Sequence, residues 1–549
     1  MTTTHRVTID QVKGDRDWSA LEQDLLDACE LGRFAYLPGK QDCPKDQSDP
    51  DRRVRPALIR YLLEGGCDSP DGARPHPNGI LLRGAWIDGL LVCHGCVSDL
   101  DLAMKSCLFE NQVWFMDAKL GALHLIGSRA KQGLNLHRIK LQKSLFLRDG
   151  FHATGLVNLG GARIDGQLSC RSGRFDGDGG KALYCNAARI GSTAVLDKGF
   201  HATGLVDFGG AQIGRNFGAV KAKFEGDVNL NGAKIEGLLV WQEIEGEIPF
   251  LDLGYAAAGV LQDDLFSWER AKRFDISGFT YERLSGTMLP HQRLTILRRN
   301  LNWPIQPSVG EEVDTPTGKP KRPLPWIRGA GKADFDPQPY TQLAKVLEDD
   351  GNRAEAARVH YQKEKSLRLA AWRRAHMHLD GTVGAGVRSI LMDLRRVLDA
   401  GFCWMFGYGH QPVRALGWML AIWAFGFWLY GAAYGAGQMV PNSDVILTSA
   451  AWLDAATPFF AGDTSTPPAL AWVETPAGRD YETFSAGLYA LDLFVPLDAL
   501  GQETTWAPSK AYGGLGTFAY WARMPIQLLG WIITAVGAAV LTGLIGRKD

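Results

Sequence analysis

From residue 79 to about residue 250, apolar and polar positions follow a repeat of 11 residues. LVNLGGARIDG (156–166), QLSCRSGRFDG (167–177), LVDFGGAQIGR (205–215), NFGAVKAKFEG (216–226) and DVNLNGAKIEG (227–237) fall into one frame. GILLRGAWIDG (79–89), DLAMKSCLFEN (101–111) and QVWFMDAKLGA (112–122) share it. Apolar or small residues hold places 2, 4, 7 and 9, and glycine is common at place 11. Two apolar residues two apart make one short strand with both side chains inward, and the longer step to the next pair is a corner. Each 11-mer is then two strands and two corners, and 22 residues close one coil. This pattern predicts a solenoid, in which each coil buries its core only against its neighbours. There is room for about seven coils, a rod roughly 35 Å long at ~4.8 Å per rung.

The octamer GFHATGLV stands at 150–157 and again at 199–206, 49 residues later. Two coils of 22 plus an insertion of five account for the distance, the insertion being visible as DGGK (178–181) with Thr193. The copies then lie two rungs apart on one side of the rod. Phe151, Ala153, Phe200 and Ala202 face inward, while His152 and His201 face solvent. Two histidines about 10 Å apart suit a shared metal poorly, so the duplication reads as repeated coils. The pairs Ala162/Ile164 and Ala222/Phe224 resemble a degenerate form of pentapeptide-repeat proteins, over about a third of the chain and with an extra residue in each second unit. The resemblance implies a mainly β fold, a right-handed quadrilateral β-helix with four short faces per coil. It implies no single function, because that family's roles are diverse.

Outside the repeat the pattern becomes helical. Residues 1–78 read as an N-terminal cap, where DWSALEQDLLDACELGRF and RVRPALIRYLLEGG are amphipathic and Leu21, Leu25 and Cys29 share a face. The β-helix occupies 79–250, and 251–301 loses the register and is expected to be the C-terminal cap. A proline-rich linker follows at 302–338. Residues 339–410 read as a helical hairpin, turning at Asp350-Gly351-Asn352, and a basic helix. The hairpin resembles a single tetratricopeptide-like unit, which alone makes no peptide groove, so a connector or dimer contact is expected. Lys363, Lys365, Arg368, Arg373, Arg374, Arg388, Arg395 and Arg396 face three acids over 363–396, directly before an apolar run. That asymmetry predicts a membrane-surface helix against anionic lipid.

The last part, 411–549, reads as a two-span membrane domain. Residues 415–436 and 525–546 are each 22 residues without a charge, enough to cross a bilayer core. The stretch 437–520 holds nine acids but only Arg479 and Lys510 as bases. By the positive-inside rule both termini are expected to be cytoplasmic and that loop external, in a multi-pass protein of a bacterial inner membrane. No signal peptide is expected from MTTTHRVTIDQV. Within the loop, ETFSAGLYALDLFVPLDALGQETTW (482–506) resembles the pore loop of two-helix potassium-type channels in position, but LFVPLDALGQ lacks their Gly-Tyr-Gly-like filter. Asp492, Asp498 and Glu503 could line an oligomeric cation pore, or they belong to an amphipathic loop whose acids face water.

Charge and composition narrow the function further. Lys and Arg number 59 against 60 Asp and Glu, so no nucleic-acid partner is expected. Nine scattered cysteines suggest reduced thiols. CHGC (93–96) places Cys93 and Cys96 at inward positions, where cysteine is a small apolar filler. HMH (376–378) lacks further ligands nearby, and GTVGAG (381–386) follows no strand. No catalytic, cofactor or metal residue stands out, so no cofactor is expected; whether the protein is an enzyme stays open, with a non-enzymatic role favoured. RALGWML, LYALDLFVPLDALGQETTW and the repeat resemble a bacterial family of membrane-associated proteins, some labelled oxidoreductase. Three readings result. The first is a membrane-anchored cytoplasmic solenoid, a scaffold or sensor for an unidentified protein partner on its faces. The second is an oligomeric channel-like protein, and the third a membrane-associated oxidoreductase. A homo-oligomer is expected.

The register makes its own test. Ile164→Asp places a charge in the core and should destabilise the rod severely, by several kcal/mol, while Arg163→Asp one place outward should be nearly silent. Chemical denaturation of both variants checks it, and equal effects would refute the register.

Overall fold

The computed structural model describes residues 8–66, 75–301, 335–377, 383–409, 412–495 and 500–541. The chain divides into two compact units, Met1–Val359 and His360–Asp549. The linker residues 302–334 lie outside the described residues.

The first unit is a β-solenoid of about nine turns. Its strands form four parallel ladders, each linking one coil to the next. The first ladder starts at Arg53 and Trp86 and runs through Arg129, His152, Arg174, His201 and Lys223 to Glu245. The second runs from Leu91 through Val157 and Val206 to Phe274. The third runs Lys119, Lys140, Arg163, Arg189, Gln212, Lys234, Ala257, Thr280. The fourth runs from Ile80 through Leu145 and Phe217 to Leu284.

The sequence explains why the coils stack. Places 2, 4, 7 and 9 of each unit are inward and sealed; Val157, Leu159, Ala162 and Ile164 are all buried. Phenylalanines stack along the interior, Phe151 on Phe175 at 5.6 Å, Phe175 on Phe200 at 5.2 Å and Phe200 on Phe224 at 5.6 Å. His152 and His201 both pair with Arg174 in the first ladder, so the two octamers do lie two rungs apart. The DGGK insertion shows as register shifts between Asp176 and Leu183.

Place 6 turns the corner. After the second ladder it is Gly95, Asp117, Arg138, Gly161, Ala187, Gly210, Gly232, Tyr255 and Gly278, all at positive φ between 53° and 70°. A turn with a left-handed third residue favours glycine, and here other residues are held there too. The preceding side chain assists: Asn158 accepts from the Gly160 N–H at 3.0 Å, Asp207 from Gly209 at 2.8 Å and Asp252 from Gly254 at 2.8 Å. These are Asx turns. They join across coils where Asn229 Nδ2 donates to Asp207 at 2.9 Å.

The expected C-terminal boundary of the coils is corrected. Ile248 pairs with Ala271 and Ala257 with Thr280, so the parallel stack runs on to Ser285. The glycines thin out there, which hides the repeat from an 11-residue frame.

Both ends are covered. At the start, helices Ala20–Leu31 and Pro56–Leu63 bury Leu21, Leu25, Cys29, Leu58 and Leu62. Glu22, fully buried, takes Arg55 Nε at 2.8 Å and Nη2 at 2.9 Å, and the same guanidinium reaches the carbonyls of Val12 and Asp17. At the far end, buried Asp263 receives both Arg293 Nη1 at 3.0 Å and Nη2 at 2.7 Å, and Trp268 Nε1 at 2.8 Å. Helix Gln338–Asp349 closes the last coil: Gln338 bonds Gly278 N and Phe279 O, and Gln342 Nε2 donates to Tyr281 O at 2.6 Å.

The hairpin turn falls at Gly351 (φ 80°), between that helix and Arg353–Met377. In the second unit follow Val383–Phe406, Pro412–Gly435 and Gly514–Leu541. Two segments, Val413–Gly435 and Gly514–Ala539, are long and apolar enough to cross a membrane. The short helix Ala486–Phe494 packs on both of these long helices.

Backbone handedness is testable at one corner column. A side chain on Gly232 (φ 66°) meets nothing within 4 Å, so Gly232→Val should cost about 1–2 kcal/mol through conformation alone. Ala187→Gly, in the same column at φ 54°, should be neutral or stabilising by up to about 1 kcal/mol. Urea midpoints of the two variants, moving in opposite directions, check this.

Candidate functional site

The acids singled out in the loop belong to the second unit. Helix Ala486–Phe494 begins at Ser485, whose hydroxyl accepts from the Leu488 N–H, and its apolar run buries Tyr489, Ala490 and Leu493. Asp492 is carried inward with them and is 4 % exposed. Its carboxylate accepts from the Leu500 N–H at 3.3 Å and the Glu503 N–H at 2.9 Å. Two backbone donors on one carboxylate pin the returning chain to the helix. Glu503 Oε1 receives Arg523 Nη2 at 2.6 Å. Buried Gln502 accepts from Ser485 N at 2.9 Å and donates to Thr483 O at 3.2 Å. Trp506 Nε1 donates to Glu482 O at 2.9 Å and Tyr481 to Thr505 O at 2.8 Å.

Asp492 and Glu503 are thus brought together through one turn of backbone, each with partners in its own chain. Asp498 lies outside the described residues, as do parts of LFVPLDALGQ, HMH and GTVGAG and the end of the second span. Arg523 was not legible as a site residue. It sits inside an apolar stretch 20 residues after Glu503, and its lone charge there was the available signal.

The basic residues fall on two helices. Lys365, Arg395 and Arg396 are exposed. Arg368 pairs with Asp399 and with Glu364 at 3.8 Å, and its guanidinium lies over the Tyr408 ring at 4.2 Å. Arg396 lies over Trp372 at 3.8 Å. Lys363, Arg373, Arg374 and Arg388 fall on the same two helices. Periodicity hid a second feature of Val383–Phe406. Ile390, Leu391, Leu394, Val397 and Leu398 are all more than half exposed on it.

In the solenoid, Cys93 and Cys96 are buried. Loss of water raises the Cys93 thiol to about 12, helped by Cys96 beside it, and raises Cys96 to about 11. Such thiols are poor nucleophiles. His152 is half-buried, its Nε2 2.8 Å from Asp176. Burial alone would raise the Asp176 carboxyl, yet hydrogen bonds from Arg174, His152 and Thr203 hold it below the ordinary value. Among the described residues no group of three or more His, Cys, Asp and Glu is placed to hold a metal ion.

No family model matches the chain, and neither a characterised protein nor a solved structure matches it. Its class therefore rests on its own geometry: a β-solenoid joined to a helical unit with two helices of membrane-spanning length.

Thiol burial gives a direct test. At about pH 8, iodoacetamide should modify half-buried Cys403 at least about a hundredfold faster than Cys93, Cys96, Cys107, Cys170 and Cys185, with Cys43, whose thiol burial also pushes up, between them. Mass spectrometry of partly alkylated protein reads this, and rapid labelling of Cys93 would contradict the packing.

Proposed function

We propose that this protein is a membrane-anchored, non-enzymatic scaffold or sensor whose cytoplasmic solenoid presents its faces to a protein partner. The observation that carries this reading is the regularity of the rod. Its inward and corner residues are committed to stacking, whereas its outward columns repeat over many rungs without being needed for the coil. Four ladders per coil support the four-faced form of the pentapeptide-repeat likeness, and parallel crossover connections favour the right hand.

The anchor consists of the two long apolar helices, in the inner membrane of a bacterial cell. Helix Val383–Phe406 lies on the membrane surface, with Ile390, Leu394 and Val397 toward the acyl region and Arg395 and Arg396 toward anionic headgroups. The bases before the first span support cytoplasmic termini. Intrachain partners for Asp492 and Glu503 favour a structural role for these acids over a pore lining.

Two measurements test the reading. In a chain with its native cysteines replaced, cysteine at exposed Ser465 or Thr504 should react with an impermeant thiol reagent on whole cells, and cysteine at Thr154 should not. Labelling of Thr154 would invert the topology. In reconstituted bilayers the protein should pass no cation current. A current abolished by Asp492→Asn with Glu503→Gln would replace the scaffold with a channel.

A further inference from the structure

The outward residues of the first and third ladders differ in one respect, although both columns are basic. In the first ladder the bases from His152 to Lys223 are neutralised locally, although exposed Arg129, one rung before them, makes no ion pair among the described residues. His152 and Arg174 share Asp176 at 2.8 and 2.9 Å, and His201 and Lys223 share Glu225 at 3.4 and 2.5 Å. The third ladder presents Lys119, Lys140, Arg163, Arg189, Gln212 and Lys234 on successive rungs. Lys119 pairs with Asp99 at 3.1 Å. Lys140, Arg163, Arg189 and Lys234 are exposed and make no ion pair among the described residues. Asp165 and Glu236 stand two residues beyond Arg163 and Lys234 without pairing with them, and the same place on other rungs is Gly191 or Gly214. The charge stops where the helix Gln338–Asp349 takes over. The next two outward residues are Ala257 and Thr280, and Gln342 of that helix bonds Tyr281 O.

Cations held ~4.8 Å apart by a ladder repel one another and gain from a bound polyanion. The spacing discriminates among polyanions. Five intervals cover ~24 Å. An α-helix lying along the column repeats one face every ~5.4 Å, about 27 Å over five turns. The difference of about 3 Å is within the reach of lysine and arginine side chains. An extended strand repeats a face every ~6.8 Å and runs about 10 Å out of phase over the same five steps. DNA phosphates, ~7 Å apart along a strand at half that rise per axis step, do not track a straight column.

Building on the scaffold reading, we propose that the third-ladder column docks the acidic face of an amphipathic helix from a partner protein. The partner helix carries Asp or Glu at i, i+4, i+7 and i+14, set against Lys140, Arg163, Arg189 and Lys234, with the turn at i+11 facing uncharged Gln212.

The test uses the full chain in detergent and a fluorescent peptide of about 20 residues, long enough to form a helix. Its glutamates lie on one face, and an isomer scatters the same glutamates around the helix. The one-face peptide should bind at least about tenfold more tightly than its isomer, with an affinity that falls as salt rises. Arg163→Glu with Arg189→Glu should weaken it at least about tenfold with the unfolding midpoint unchanged. If charge reversal unfolds the chain, Arg163→Gln with Arg189→Gln decides, and should weaken binding in the same direction. Equal binding of the two peptides, or affinity unmoved by a folded arginine variant, would overturn the proposal. So would displacement of the peptide by phosphatidylglycerol vesicles or duplex DNA that bind through the same arginines more tightly. Conductance and peptide binding are read separately, so the scaffold reading and this one can fail independently.

Discussion

The rod depends on one backbone constraint, the left-handed residue at place 6. Its N–H must point along the rod to donate to the next coil. Gly161 donates to Asn186 O at 2.9 Å, Ala187 to Gly209 O at 2.8 Å, Gly210 to Asn231 O at 2.7 Å and Gly232 to Gly254 O at 2.8 Å. A right-handed residue would turn that N–H away and leave the ladder broken at every corner. The conformation costs non-glycine residues roughly 1–2 kcal/mol. Asp117, Arg138, Ala187 and Tyr255 nonetheless adopt it, because the coils above and below fix both sides of the corner. An Asx side chain just before the corner lowers the demand further by holding the turn from outside.

Stacking of this kind propagates well and stops badly, since a parallel ladder offers an unpaired edge at each end. Both ends meet the problem in the same way. An ordinary helix covers the apolar core, and a buried arginine–carboxylate pair fixes the cap to the rod: Glu22 with Arg55 at the start, Asp263 with Arg293 at the finish. Breaking such a pair would leave a buried charge unpaired, which is far more costly than losing an exposed ion pair. Capping is therefore specific where coil stacking is generic.

That difference explains what the sequence could tell. The interior was legible because inward places tolerate only apolar or small residues, as at Val157, Leu159, Ala162 and Ile164. The corners were legible wherever glycine filled them. The final coils were not, because Tyr255 occupies the left-handed place and the glycines thin out. A neighbour's hydrogen bonds can impose a conformation that composition does not announce. In the helical unit, residue type pointed to Asp492 and Glu503, but their roles depend on Leu500, Glu503 N and Arg523, which only the fold brings near. The exposed apolar face of Val383–Phe406 was masked by the charges interleaved with it.

Function in such a chain has few places to reside. Inward positions are spoken for by packing and corner positions by backbone geometry, so a substitution there reports on the coil whatever the protein does. Outward strand positions carry no such demand: a rung closes equally well with Arg163, Gln212 or Ala257. A long column of one charge at unconstrained positions is therefore information that folding did not require. The first ladder, free to vary in the same way, supplies Asp176 and Glu225 to neutralise His152, Arg174, His201 and Lys223. Local self-neutralisation is thus available to this architecture at no cost to the coil. Its absence at Lys140, Arg163, Arg189 and Lys234 is the feature from which the proposed docking of an acidic helix on this face follows.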